Sequence, residues 1–233
     1  LYKHRDGLID DQGLNNALAK YRQLDNRKQL EDFYTQTGVE HQHNLSLSGG
    51  NDINRYVFSL NYAGNRYNAR YNQTERFGAT IRDNIKLTSW LNAEAALTMN
   101  FNNTNSDRGM GTYANMYRNQ PSYTMLKDEN GNPLNVPTYK SEWEMARLME
   151  IGLKDEHYSP ITNRSEERYK SNEKYYRLML GLNVKLMKGL NFDVRFQTEN
   201  SSDKTTETYS ERSYYVRNMI NDAAQYNQTT KRL

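Results

Sequence analysis

The chain has 233 residues, of which 36% are apolar, 25% charged and 12% aromatic, with 19 Tyr and no Cys. A mean hydropathy of −1.05 is low for a packed helical core, and so many aromatics argue against plain disorder. The net charge of +3, from 31 basic and 28 acidic residues, includes no basic block that would track a nucleic acid. The missing Cys rules out disulfides and thiolate metal sites, and no run of 18 apolar residues forms a membrane helix.

That last exclusion does not reach β-barrels, whose strands hide in hydropathy plots because every second residue can be polar. The chain opens on LYKHRDGL, without a start Met or signal peptide, and reads as an interior piece or processed product. Residues 1–40 contain DDQGLNNALAKYRQLDNRKQLEDFY, which predicts one or two helical turns.

Six period-two segments follow. HNLSLSGG (43–50) sets Leu45 and Leu47 on one face, and NRYVFSLNY (54–62) aligns Tyr56, Phe58, Leu60 and Tyr62. RFGATIRDNIKL (76–87) aligns Phe77, Ala79, Ile81, Ile85 and Leu87, with Asp83 alone breaking the row. LNAEAALTMNFN (91–102) aligns Leu91, Ala93, Ala95, Leu97, Met99 and Phe101. EKYYRLMLGLNVKL (173–186) and LNFDVRFQTEN (190–200) repeat the pattern. A helix, with a period of 3.6, would scatter these residues around its circumference.

The connections alternate in length. GGND, TSW (88–90) and MKG (187–189) are tight, whereas 63–75 and 102–172 are long. Short turns at one end and long loops at the other is the layout of an outer-membrane barrel. Within the long loop, SEWEMARLMEIGL (141–153) predicts a short amphipathic helix capped by Ser141, and DENGNPLNVP (128–137) is turn chemistry.

The predicted fold is therefore all-β, about six strands of a larger transmembrane antiparallel barrel with long extracellular loops. Residues 1–40 form an extracellular loop with helical turns, 41–101 four strands, 102–172 a long extracellular loop and 173–200 a hairpin. Residues 201–233 form an outer strand extension and loop. Charged and amide side chains on the wet face cost several kcal/mol each if buried unpaired, and a lumen relieves that cost. The predicted lumen-facing residues are Arg82, Asn84, Asn92, Glu94, Thr98, Asn100, Arg177, Asn183, Asp193 and Arg195. Tyr56, Tyr62, Phe77, Trp90, Phe101 and Phe192 suit an aromatic girdle.

Residues 29–101 add a resemblance. Phe33, Thr37, Gly38, His43–Ser46, Ser48–Gly50, Tyr56, Ser59 and Tyr62, then Arg82, Asn84, Trp90 and Leu91, carry it. The stretch resembles one common in the SusC/RagA-like TonB-dependent transporters of Bacteroidetes, with HNLSLSGG its most specific element. The resemblance implies a bacterial outer-membrane nutrient-uptake receptor, a 22-stranded barrel filled by a plug that imports glycans or peptides. It also implies a SusD-like surface lipoprotein as lid, and coupling to TonB through parts outside this chain. No cofactor and no enzyme activity follow from it. The alternative reading is a soluble or surface-attached β-rich carbohydrate-binding or structural module.

Other motifs carry blander readings. His41 and His43 lie on one side of a strand without a third metal ligand nearby. NNTNSD (102–107) lacks the spacing of a calcium loop, and GMGTY (109–113) lacks the Lys-Ser/Thr of a phosphate loop. The carboxylate pairs Glu142/Glu144 and Glu166/Glu167 read as solvated. Tyr113, Tyr117, Tyr123 and Trp143 are candidate loop contacts to substrate.

Overall fold

The computed structural model describes residues 2–107 and 109–225, with the side chains of 109–112 outside that description. The chain divides into two compact units. One comprises Leu1–Gln36, Asp107–Arg168 and Glu207–Leu233; the other comprises Thr37–Ser106 and Tyr169–Thr206.

The second unit is a sheet of β1 (Val39–Gly50), β2 (Asn54–Arg66), β3 (Gln73–Lys86), β4 (Leu91–Ser106), β5 (Glu167–Met187) and β6 (Leu190–Tyr209). The strands lie in sequence order, so β1 and β6 are its edges and the sheet is open. Local turn chemistry fixes the short end. Asn51 Oδ1 accepts from the amides of Ile53 and Asn54 at 2.8 and 2.9 Å. A Cβ on Gly50 would stand 2.2 Å from Asn54 O, so that turn requires glycine. Gly189 (φ +86°) closes the third hairpin.

Register sorts the side chains into rows. Leu45–Leu60–Ala79–Met99–Tyr176 and Leu47–Phe58–Ile81–Leu97–Leu178 run across five strands on one face. That face is left open, with Leu45 63%, Leu47 60% and Phe196 58% exposed. Rings mark its ends. His43, Tyr62, Phe77 and Phe101 share one row, and Phe101 meets Tyr176 edge-on at 5.7 Å. Tyr56 and Trp90 stand near the short turns.

The strands run further than the alternation. β4 reaches Ser106, β5 begins at Glu167 and β6 ends at Tyr209, although both faces are polar there. Backbone pairing such as Thr74↔Thr104 and Thr104↔Ser171 continues without an apolar face, so periodicity gives no signal. The short turns are also staggered. Gly50 faces Arg55, which faces Asn84, yet β3 continues to Lys86; Leu91 then faces Val184, yet β5 continues to Met187. Each turn is displaced by about two to three residues from the last. At ~3.3 Å per residue and ~4.8 Å between strands, the strands lean about 40° from the perpendicular to the line joining the turns.

The first unit is helical: α1 (Tyr2–Arg5), α2 (Asp11–Arg22), α3 (Arg27–Tyr34), α4 (Gly109–Asn119), α5 (Glu142–Glu150), α6 (Pro160–Arg164) and α7 (Tyr214–Ala223). Its core joins Leu30 and Tyr34 of α3, Met116 of α4, Leu126 and Val136. Polar side chains fasten these distant segments. Asn26 donates to Thr124 O at 2.9 Å, and Gln29 Oε1 accepts from the amides of Leu126 and Lys127 at 2.8 and 3.1 Å. Arg164 pairs with Asp107, donates to Phe33 O at 2.7 Å and lies 4.5 Å over the Phe33 ring. Burial pushes the Tyr34 phenol well above its ordinary range.

The predicted helix in 141–153 is α5, with Ser141 Oγ accepting from Glu144 N at 3.2 Å. The region predicted as strand extension and loop, 201–233, also contains α7. Ser213 caps it through Val216 N at 3.2 Å, and Val216, Met219 and Ile220 have helical spacing.

Candidate functional site

The polar face of the sheet is the richest assembly of hydrogen-bonding groups in the strand unit. Rows Arg82–Ala96–Met179, Asn84–Glu94–Gly181, Asn92–Asn183 and Thr98–Arg177 set seven of the predicted residues on one face with Asn100. β6 completes the set: Asn183 Nδ2 donates to Asp193 Oδ1 at 2.5 Å, and the Arg195 stem passes over Gly181. Arg82 Nε lies 3.9 Å from Glu94 Oε1, an open pair worth under ~1 kcal/mol. Ser46 and Ser59 share a hydrogen bond at 3.0 Å in the same row as Thr80 and Thr98.

Nearer the long connections this face holds a recess of about 580 Å³. Asn44, Asn61, Gly78, Asn100 and Tyr175 form its central row, with Arg76, Asn102 and Glu173 in the next. Gly78 makes the recess possible. A Cβ there would stand 2.1 Å from Asn61 Oδ1 and 2.8 Å from Asn100 Oδ1, so both amides lean into space that a side chain would fill. Asn102 Oδ1 is buried with no partner among the described residues. Amides donate and accept, Arg76 and Glu173 balance in charge, and Tyr175 adds an aromatic surface. Such a lining suits a neutral ligand rich in hydroxyl or amide groups.

Only Asn100 of the predicted lumen residues lines this recess; the other nine lie elsewhere on the polar face. Asn61, Arg76 and Tyr175 have the polar parity in the sequence, but their convergence depends on register and on the missing Cβ of Gly78.

The loop aromatics divide. Tyr113 packs against Tyr34 at 5.5 Å and Tyr117 at 6.0 Å, so it serves the core. Tyr117 lies under the Arg27 guanidinium, Tyr123 pairs with Tyr21, and Trp143, 71% exposed, pairs with Arg147. No ring contact joins Tyr123 or Trp143 to the Tyr113–Tyr117 pair among the described residues.

The remaining motifs have local partners. His41 and His43 pack around Tyr62, with ring centroids 5.6 and 6.2 Å from it. NNTNSD ends β4: Thr104 meets Thr74, Ser106 donates to Asn72, and Asp107 pairs with Arg164. GMGTY opens α4, and its side chains before Tyr113 fall outside the described residues. Glu166 bonds Ser210 and Arg212, and Glu167 accepts from Asn163. No protein-family model matches the chain, and no curated protein matches it.

Proposed function

We propose that the sheet is a section of the wall of a large outer-membrane transport barrel of the SusC/RagA-like, TonB-dependent kind, importing glycans or peptides. The observation that carries this reading is a match of two lengths. Leu91 to Phe101 of β4 spans about 33 Å along the strand. The ~40° stagger-derived tilt reduces that to about 25 Å, the height of the apolar band of such barrels, whose strands tilt by ~35–45°. The polar face then lines the lumen, and the Gly78 recess is a place where the passing solute is held by amides. Further strands outside this chain would pair with the free edges of β1 and β6, because unpaired backbone is not tolerated in hydrocarbon. A SusD-like lipoprotein and TonB are the partners this reading brings with it.

The rival, a β-rich binding module in water, would need another layer over the open apolar face. The intact protein decides between them. The barrel reading expects extraction and monodispersity only in detergent, with folded strands; a folded monomer in plain buffer would overturn it.

A further inference from the structure

His157 sits outside the sheet, in a stretch that two helices grip. From α7, Arg217 donates to Asp155 O at 2.6 Å and to His157 O at 2.8 Å. Asn221 donates to Lys154 O at 2.9 Å and accepts from Lys154 N at 2.7 Å, so this backbone is fixed to α7. The imidazole makes the link to α5. Its Nδ1 lies 2.5 Å from Asp155 Oδ1 and its Nε2 lies 2.8 Å from Glu142 Oε2, in the first turn of that helix.

Two carboxylates on two ring nitrogens demand two N–H donors. Only imidazolium has both; a neutral ring would turn a lone pair towards one carboxylate. Asp155 is held independently, since its Oδ1 also accepts from the His157 amide at 2.8 Å. Glu142 is 87% exposed, and among the described residues its carboxylate has no second anchor of this kind. We infer that His157 is a proton-operated latch: charged, it ties the start of α5 to the 154–158 stretch; neutral, it releases Glu142. The exposed Trp143 follows Glu142 directly, so the latch sets the position of an aromatic side chain on the surface of the helical unit.

The surrounding charges favour the closed form near neutral pH. Glu142 from α5 and Asp155 from the same stretch face the ring directly. Arg217 from α7 is 3.9 Å from the far oxygen of Asp155, while the neighbouring Glu156 is already paired with Lys140. Tyr214 of α7 packs at a tilt against Tyr158, the residue after His157, with ring centroids 5.0 Å apart. The hydrogen bond to Glu142, more than burial opposes it, holds the His157 pKa above its ordinary 6.5. A raised folded-state value means that the latch stabilises fully below the unfolded value and is lost as pH rises through the folded one.

The test is hydrogen–deuterium exchange of the intact protein, corrected for intrinsic pH dependence, in peptides covering 142–150. Protection is expected to fall about two- to five-fold on going from about pH 6 to about pH 9, the scale of an exposed charged pair. The midpoint should lie above 6.5. H157Q should abolish the step. E142Q should abolish it too, since a Gln amide can accept from a charged ring or donate to a neutral one. A pH-independent wild type, or a step of unchanged midpoint in either variant, overturns the latch. E142Q keeps the test decisive if H157Q does not fold.

Discussion

The two units of this chain treat apolar side chains in opposite ways. The helical unit hides them: Leu30, Tyr34, Met116, Leu126, Val136 and Met145 are all buried. In the sheet, the buried apolar side chains are Ala79 and Ala96, while leucines and phenylalanines across its apolar face stay open. A water-facing protein seldom leaves so continuous an apolar surface uncovered. The contrast teaches that the first unit encloses a core of its own, while the sheet leaves a continuous apolar face bare.

The contrast can be broken at the helical core first. Leu126→Ala should cost about 2–5 kcal/mol, because it leaves a cavity between α3 and α4. The loss should appear as raised hydrogen exchange in 26–34 and 113–136, with the sheet unchanged. Co-melting of both units would show that they are one cooperative body. The sheet gives the complementary case. Under the proposed barrel reading Leu97→Arg, near the middle of the apolar band, should destabilise the protein in bilayers by about 2–4 kcal/mol. Its neighbour Thr98→Arg, on the polar face, should cost far less, and equal losses in refolding titrations would remove the distinction between the faces.

Gly78→Val sharpens the polar side. Its side chain must displace the Asn61 and Asn100 amides, so under the proposed transport role solute uptake by the intact protein should fall while its apolar face stays as it was. The smallest effect belongs to a helix end. Ser141→Ala removes the cap on Glu144 N and should cost about 1 kcal/mol, read as early fraying of α5.

Much of the sheet was legible in sequence because its signal is local. Alternation at Leu91–Phe101 and the turns at Gly50 and Gly189 identify strands and hairpins without knowledge of their partners. The polar parity likewise placed Arg82, Glu94 and Asn183 on one face. The recess was less legible, since Asn61, Gly78 and Asn100 come together only through a register spanning three strands. The helical unit was least legible. Asn26, Gln29 and Arg164 act on segments far away in the chain, and no period records such contacts. Helix α5 is the exception, read from Ser141 and its apolar spacing; α7 carried a like signal in Ser213, Val216, Met219 and Ile220, which a polar, Tyr-bearing tail obscured.

The most direct measurement is nitroxide accessibility at two adjacent residues of β4 in the intact, membrane-reconstituted protein. A label at Leu97 should be reached by oxygen from the lipid and shielded from a polar relaxation agent. A label at Thr98 should show the reverse. Equal accessibility at the two sites would contradict the assignment of one face to lipid and the other to an aqueous lumen.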